Sequence, residues 1–203
     1  MNRSPLQQKQ HLFDQWAPSY DWLLPTVFYQ AIHQRLLEFI QLPDHPQVLD
    51  LGCGTGRLLN RLADRFPDLM GTGLDFSPQM IRQARQTNHH HPRLIFVEGD
   101  VEALPFVAGQ FDAIVNTISF LHYLHPDRVL SEVHRVLRHN CPFYLVDFAA
   151  SRWQFDTVQI TLPGNIHFYS PRQREQMGYR AGFQGIRHQY LLGPVLLTKF
   201  LKA

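Results

Sequence analysis

Short apolar runs alternate with amphipathic helical patterns along the chain from position 48 onward. Five of these runs carry the β-branched and aromatic residues that are typical of strands buried on both faces of a sheet. We interpret them as strands at residues 48–51, 71–75, 93–100, 111–117 and 143–148. Strands and helices in such alternation indicate an α/β fold built on a largely parallel sheet.

Four helices are predicted between and after these strands. Apolar residues recur at helical spacing from Leu58 to Phe66 and again from Val129 to Leu137. Two further helices begin where a serine precedes a proline, because this pair supplies an N-cap and a first-turn proline. The serines are Ser77 and Ser170, and the helix after Ser170 is expected to end near Gly182.

The two ends of the chain depart from this alternation. Residues 184–193 and 194–203 are strand-like runs separated by a Gly-Pro pair, with no helical pattern between them, and they predict a hairpin. The first 46 residues instead look helical, with Phe28 and Ile32 on one apolar stripe. We interpret this segment as an appendage to the sheet domain.

Composition and charge limit the function. The 203 residues are 44% hydrophobic, enough to bury one core, so a single domain is expected. With 19 Lys and Arg against 17 Asp and Glu, the net charge of +2 disfavours a nucleic-acid binder. Cys53 and Cys141 form no Cys-x-x-Cys pair and no run is apolar enough to cross a membrane, which predicts a cytoplasmic protein without an integral membrane segment. Three histidines at 89–91 are expected in a solvated loop, and no metal site is predicted.

A glycine-rich turn follows the first predicted strand and leads directly into a helix. Gly52, Gly54 and Gly56 lack Cβ atoms, so the backbone can turn sharply and approach a ligand, and the helix amides add a polar rim. Such a turn is also compatible with a tight connection that binds nothing. Arg57 stands where a dinucleotide fingerprint requires a third glycine, which disfavours a nicotinamide cofactor and hence an oxidoreductase.

Acidic residues end the next two predicted strands. Asp75 can accept hydrogen bonds from both hydroxyls of a ribose, and Asp100 can meet an exocyclic amine such as that of adenine. Because the carboxyl ends of parallel strands share one edge of the sheet, three neighbouring strand ends are expected to form one adenosine-sized crevice.

The chain resembles the class I S-adenosylmethionine-dependent methyltransferases, in particular the group that includes the ubiquinone and menaquinone biosynthesis C-methyltransferases. The resemblance is carried by the segments VLDLGCGTGRLL, GLDFSPQMI, VEGDVEALPF and FDAIVNTISFLHYL. It implies a Rossmann-like, seven-stranded mixed sheet of order 3-2-1-4-5-7-6, with strand 7 antiparallel and helices on both faces. It also implies one domain over residues 1–203, in which a helical lid at 1–46 precedes the core at 47–203. Asn140 stands where a glycine usually precedes strand five, and asparagine tolerates the left-handed conformation.

The resemblance implies S-adenosylmethionine as cofactor and assigns residues to it. Those implied for the methionine part and the sulfonium are Asp50, Gly52, Cys53, Gly54, Asn116, Thr117 and Leu121. Those implied for the ribose and adenine are Asp75, Phe76, Met80, Asp100, Val101 and Glu102. Tyr20, in the amino-terminal helix, is expected to close over the cofactor.

Methyl transfer from a sulfonium is an in-line displacement, so alignment of the reactants can supply much of the catalysis. An acceptor hydroxyl or acidic carbon also gains from a base, and His122 is the candidate, although a histidine there could instead pack or cap the next helix. We expect a methyltransferase acting on a small-molecule acceptor, quinone-like or aromatic, as a monomer or homodimer. The alternative is a non-catalytic S-adenosylmethionine-binding sensor or subunit.

Overall fold

The fold is a seven-stranded sheet covered by helices on both faces, in a computed structural model that describes residues 23–149 and 166–203. The strands are β1 Gln47–Leu51, β2 Met70–Asp75, β3 Leu94–Glu98, β4 Ala113–Thr117, β5 Pro142–Phe148, β6 Phe183–Leu192 and β7 Val195–Lys202. The helices are α1 Leu23–Leu37, α2 Arg57–Arg65, α3 Pro78–Gln86, α4 Pro126–Val136 and α5 Pro171–Arg180, with a 3-10 helix at Phe120–His122.

The strand order is β3-β2-β1-β4-β5-β7-β6, as the resemblance implied. β1 pairs in parallel with β2 and β4, and the parallel pairing continues outward to β3 and β5. β7 runs antiparallel to both β5 and β6, which confirms the predicted terminal hairpin. The carboxyl ends of β1 to β4 therefore lie together at one edge of the sheet.

Apolar residues on alternate strand positions build a core on each face of the sheet. On one face, α1, α2 and α3 pack through residues such as Ile32, Leu59 and Ile81. On the other face, α4 and α5 pack through residues such as Val133 and Met177. Within the described part of the chain, no helix is both long enough and apolar enough to cross a bilayer.

The predicted helix starts are confirmed by their caps. The Ser77 hydroxyl accepts from the Met80 N–H at 3.2 Å, with Pro78 in the first turn of α3. Ser170 and Gln173 form a reciprocal capping box at the start of α5. Asn140, before β5, has φ 59°, so it takes the left-handed conformation expected of it.

The amino-terminal segment is described in part. α1 contains the predicted stripe with Phe28 and Ile32, and Ile32 is buried against the sheet. Residues 1–22, which include Tyr20, lie outside the described residues, as do residues 150–165.

Candidate functional site

A cleft of about 900 Å³, counting the open solvent at its mouth, lies at the carboxyl ends of β1 to β4. The predicted site residues that line it are Gly52, Gly54, Asp75, Phe76, Met80, Asp100, Val101, Glu102, Thr117 and His122. Ile118, Ser119, Tyr123 and Leu124 complete the lining and were not predicted. The expected convergence of three strand ends on one crevice is thus seen in the structure.

Asp75 links the two backbone segments that form the floor of the cleft. Its Oδ2 accepts from the Gly54 N–H at 2.9 Å, and its Oδ1 accepts from the Ser77 N–H at 2.9 Å. The residue is buried at the end of β2. A carboxylate can accept about four hydrogen bonds, so Asp75 can serve the backbone and the hydroxyls of a ligand together.

The glycine turn lies against β2 in a conformation that favours glycine. Gly52 and Gly54 have φ 64° and 52°, in the left-handed region. The N–H groups of Gly52 and Cys53 both donate to the Leu74 carbonyl, at 2.8 and 3.0 Å. A Cβ atom at Gly54 would meet no atom within 4 Å, so this residue presents bare backbone to the cleft.

A polar network lies beneath the cleft between β1 and the 3-10 helix. Nδ2 of the fully buried Asn116 lies 2.8 Å from the Leu51 carbonyl, 2.7 Å from Ser119 Oγ and 2.8 Å from Tyr123 Oη, so its two N–H groups are shared among three oxygens. Burial raises the pKa of the Tyr123 phenol, which therefore stays neutral. Asn116 lies beneath the cleft and outside its lining, and Leu121 is buried in the core, so contact of these two residues with the cofactor stays a prediction.

The comparisons with known proteins agree with this geometry. A family model described as a methyltransferase domain matches residues 48–140. The 2-phytyl-1,4-naphtoquinone methyltransferase of Nostoc is 32% identical over 222 residues, covering 93% of this chain and 97% of that protein. The chain belongs to the class I S-adenosylmethionine-dependent methyltransferases. It is thus an enzyme that uses S-adenosylmethionine.

Two further relatives of this methyltransferase differ in how much of the chain they match. The malonyl-[acyl-carrier protein] O-methyltransferase of Geobacter sulfurreducens is 34% identical over 131 residues, covering 62% of this chain. The chain spans about half the length of that relative, 47%. A solved S-adenosylmethionine-dependent methyltransferase from Aquifex aeolicus has the same fold, with a TM-score of 0.72 at 17% identity and full coverage of both chains.

A second cavity adjoins the cofactor cleft of the methyltransferase. Its volume is about 450 Å³, counting the open solvent at its mouth, and it shares Gly52, Gly54 and Thr117 with the cleft and also includes Cys53. Its outer wall consists of the side chains Tyr29 and His33 from α1 and Arg57 from α2. The sequence indicated Tyr29 only as one of several amino-terminal aromatic residues that could line an acceptor pocket, and it did not indicate His33 or Arg57, because nothing in the pattern of α1 shows which turn of α2 it contacts.

His33, which lines this cavity, carries a neutral imidazole. Arg61 Nη1 lies 2.8 Å from His33 Nδ1. A guanidinium can only donate, so Nδ1 accepts and the ring proton is on Nε2. Burial, with help from Arg61 and Arg57, lowers the pKa of His33 to about 3. A neutral N–H donor beside two guanidinium groups suits a carboxylate, such as that of the methionine part of the cofactor.

The environment of Asp50 shows whether the residues of the site fit S-adenosylmethionine. Its carboxylate is 1% exposed, and neither oxygen has a hydrogen-bond partner among residues 23–149 and 166–203. Burial and the nearby Asp75 raise the pKa of Asp50 well above its ordinary value. A buried acceptor of this kind costs free energy unless a donor reaches it. The ammonium group of S-adenosylmethionine is such a donor, directly or through water, so the residues present fit the cofactor.

Cofactor binding is expected to release up to about one proton from Asp50. The raised pKa favours the protonated carboxyl in the empty site, whereas an arriving ammonium favours the ionised form. Affinity should therefore rise with pH through the raised pKa. Calorimetric titration with S-adenosylhomocysteine between pH 5 and 8, in buffers of different ionisation enthalpy, measures the protons released.

The matched variant is Asp50→Asn, which keeps the size of the side chain and cannot titrate. We expect its proton release to fall to near zero and its affinity to lose this pH dependence. Equal proton release in the two proteins would assign the proton to another group and contradict the prediction.

Proposed function

We propose that this methyltransferase methylates a small aromatic acceptor of the quinol class, with His122 as general base. The observation that carries the proposal is an aromatic cluster at the carboxyl end of β5, formed by Phe28, Phe148 and Phe168. Phe28 stacks on Phe148 with ring centroids 5.9 Å apart, and Phe168 meets Phe148 edge-on at 6.4 Å. All three rings are half-buried.

The position of the aromatic cluster suits an acceptor. Phe148 ends β5, next to β4, whose own end lines the cleft. Phe28 precedes Tyr29, a wall residue of the second cavity. Flat apolar ligands bind well against aromatic side chains, because ring stacking adds to the free energy of burial.

Methylation of a ring carbon needs a base, and His122 is placed to be that base. Bound S-adenosylmethionine supplies a methyl group on an electrophilic sulfonium. A bond forms between that methyl and a ring carbon of the acceptor, the bond from methyl to sulfur breaks, and the ring carbon loses a proton. His122 lines the cleft and is half-exposed, so its imidazole can take this proton. The other roles inferred above, ribose binding by Asp75 above all, complete the site.

The named relatives support this acceptor class unequally. The Nostoc relative, whose whole length the chain nearly spans, is named for a naphthoquinone. The Geobacter relative, of which the chain spans about half, is named for a malonyl group on an acyl carrier protein. The even charge of the chain and its free Cys53 and Cys141 further favour a metabolite over nucleic acid, and a reducing, cytoplasmic setting.

The test is transfer of a labelled methyl group. The enzyme is incubated with methyl-labelled S-adenosylmethionine and, separately, with a reduced prenylated 1,4-naphthoquinone and malonyl-acyl carrier protein. We expect label in the extracted naphthoquinol. Label in the carrier protein alone, or no transfer with S-adenosylhomocysteine bound normally, would overturn the proposed acceptor.

Two histidine variants distinguish loss of the general base His122 from a general effect of mutating a histidine in this segment. His122→Asn is expected to lower kcat by about 100-fold or more, within the usual range for loss of a general base, and to leave S-adenosylhomocysteine affinity within about 3-fold. His125→Asn is the control, because His125 is exposed and lies outside the cleft lining. Equal activity of both variants would remove His122 from the mechanism.

A further inference from the structure

The turn that follows β4 holds a β-branched residue in a conformation that such residues avoid. Ile118 has φ 49°, a strained backbone conformation that persists only where the surroundings hold it. Its N–H donates to the Val146 carbonyl of β5 at 2.8 Å. This turn, residues 118–122, carries His122, so the contacts that hold the turn also place the imidazole.

A buried carboxylate makes the next contact with this turn. Asp147, near the end of β5, is 1% exposed. Its Oδ2 accepts from the Leu121 N–H at 2.9 Å, and its Oδ1 accepts from the Phe148 N–H at 2.8 Å. Hydrogen bonds to an ionised acceptor are about twice as strong as neutral ones. The backbone of the residue before His122 is therefore fixed by a charge.

The opposite side of the same residue is also bonded. The Leu121 carbonyl accepts from the His167 N–H at 2.9 Å. The segment at 166–170 leads into α5, so the turn is held between β5 and the residues that precede this helix. Leu121 thus has both of its backbone groups engaged outside the turn itself.

A buried guanidinium compensates the carboxylate. Arg174 of α5 is 1% exposed and donates to the carbonyl oxygens of Asp147, Phe148 and Leu196, at 3.2, 3.0 and 3.0 Å. Its positive charge lies at the strand end that carries the Asp147 carboxylate. An isolated buried carboxylate would take up a proton, whereas one beside a buried cation can stay ionised.

We propose that Asp147 is a positioning residue of the methyl-transfer site, whose ionised carboxylate holds the 118–122 turn so that His122 faces the cleft. The inference rests on the role of His122 in the proposed function. The bond between Leu121 and Asp147 does not depend on which acceptor is used, so the two can be tested apart.

Titration of Asp147 gives a test that needs no mutation. Burial raises the pKa of Asp147 to about 6, and Arg174 limits the rise. Among residues 23–149 and 166–203, the other titratable groups that interact with Asp147 are the phenols of Tyr123 and Tyr169, whose pKa values are raised, so both stay neutral in this range. Protonation of Asp147 below pH 6 should therefore weaken its bond to Leu121.

Amide hydrogen exchange measures directly how well the hydrogen bond from the Leu121 N–H to Asp147 protects that amide. At pH 7.5 the protection factor of the Leu121 amide is expected to fall about 10-fold or more in Asp147→Asn, with the β4 amide of Val115 as an unchanged reference. In the wild-type enzyme the Leu121 protection should also fall as the pH is lowered, with a midpoint near 6. In Asp147→Asn it should be low throughout.

Steady-state kinetics measure the effect of the 118–122 turn on catalysis. With the naphthoquinol acceptor, Asp147→Asn should lower kcat by about 10-fold or more while KM for S-adenosylmethionine changes less than about 2-fold. Asp127→Asn is the control, because Asp127 is exposed and pairs with Arg180. It should behave as wild type.

Each outcome decides the inference. Unchanged Leu121 protection in Asp147→Asn would overturn it, as would an equal fall at Leu121 and Val115, which indicates general destabilisation. A wild-type protein whose Leu121 protection does not respond to pH across the midpoint would also overturn it. If the naphthoquinol is not methylated, the proposed acceptor fails while the exchange result still decides the role of Asp147.

Discussion

Replacing Asp75 by asparagine is expected to weaken the binding of S-adenosylhomocysteine by about 100-fold. The carboxylate accepts from the amides of Gly54 and Ser77 and faces the cleft. An amide group in its place puts an NH2 donor against one of these N–H groups and removes the charge that would accept ribose hydroxyls. Each bond to a charged acceptor contributes about 1.5–3 kcal/mol, and a loss of about 3 kcal/mol corresponds to this factor.

Asp112→Asn is the matched control for this measurement. Asp112 is also buried, accepts from a backbone amide, that of Gln47 at 2.9 Å, and pairs with Arg138. It lies before β4, at the amino end of the strands and away from the cleft. Calorimetric titration should give a nearly unchanged Kd for this variant. Similar losses in the two variants would trace the effect to folding and contradict ribose binding by Asp75.

The fold could be predicted from the sequence because each strand of the sheet is a separate apolar run, α3 and α5 begin with a serine cap, and α2 and α4 have apolar residues at helical spacing. The errors lie at strand ends. β4 begins at Ala113, two residues later than predicted. The reason is that the Asp112 carboxylate accepts a hydrogen bond from the Gln47 N–H, and Phe111 makes an isolated bridge to Leu137. β3 ends at Glu98, ahead of the turn in which Asp100 accepts from the Glu102 N–H.

The candidate site could be predicted where it consists of residues at strand ends, since chain order and sheet order together place those residues side by side. The second cavity could not be predicted in this way. Its wall depends on α1 packing against α2, where His33 meets Arg61 across 28 positions of sequence. Periodicity shows which face of α1 is apolar and gives no information on its partner.

The network beneath the cleft was hidden for a different reason. Ser119 and Tyr123 converge on Asn116 because the chain turns through a left-handed Ile118 into a 3-10 helix. No residue type in this segment signals that turn, and a β-branched residue argues against it. Strain of this kind is held by tertiary contacts, of which the bond from Leu121 to Asp147 is one, and it is therefore invisible to local propensity.

A methyl group added at Gly54 is expected to abolish most cofactor affinity while leaving the fold nearly as stable as that of a distant control. Gly54 has φ 52°, and a Cβ there meets no protein atom within 4 Å because the space beside it is the cleft. Alanine in this conformation costs about 1–2 kcal/mol of stability. The same methyl occupies volume that the cofactor needs, and overpacking of about 1–3 kcal/mol corresponds to a Kd about 5- to 150-fold weaker.

Gly109→Ala separates these two effects. Gly109 has φ 63° and likewise no atom within 4 Å of an added Cβ, but it lies in the loop before β4, outside the cleft lining. Both variants should lose about 1–2 kcal/mol in denaturant unfolding without ligand, whereas only Gly54→Ala should lose affinity for S-adenosylhomocysteine. Unfolding with saturating ligand widens the difference, because a bound ligand stabilises a protein in proportion to the logarithm of its affinity. Equal ligand stabilisation of the two variants would mean that the cofactor does not pass over Gly54.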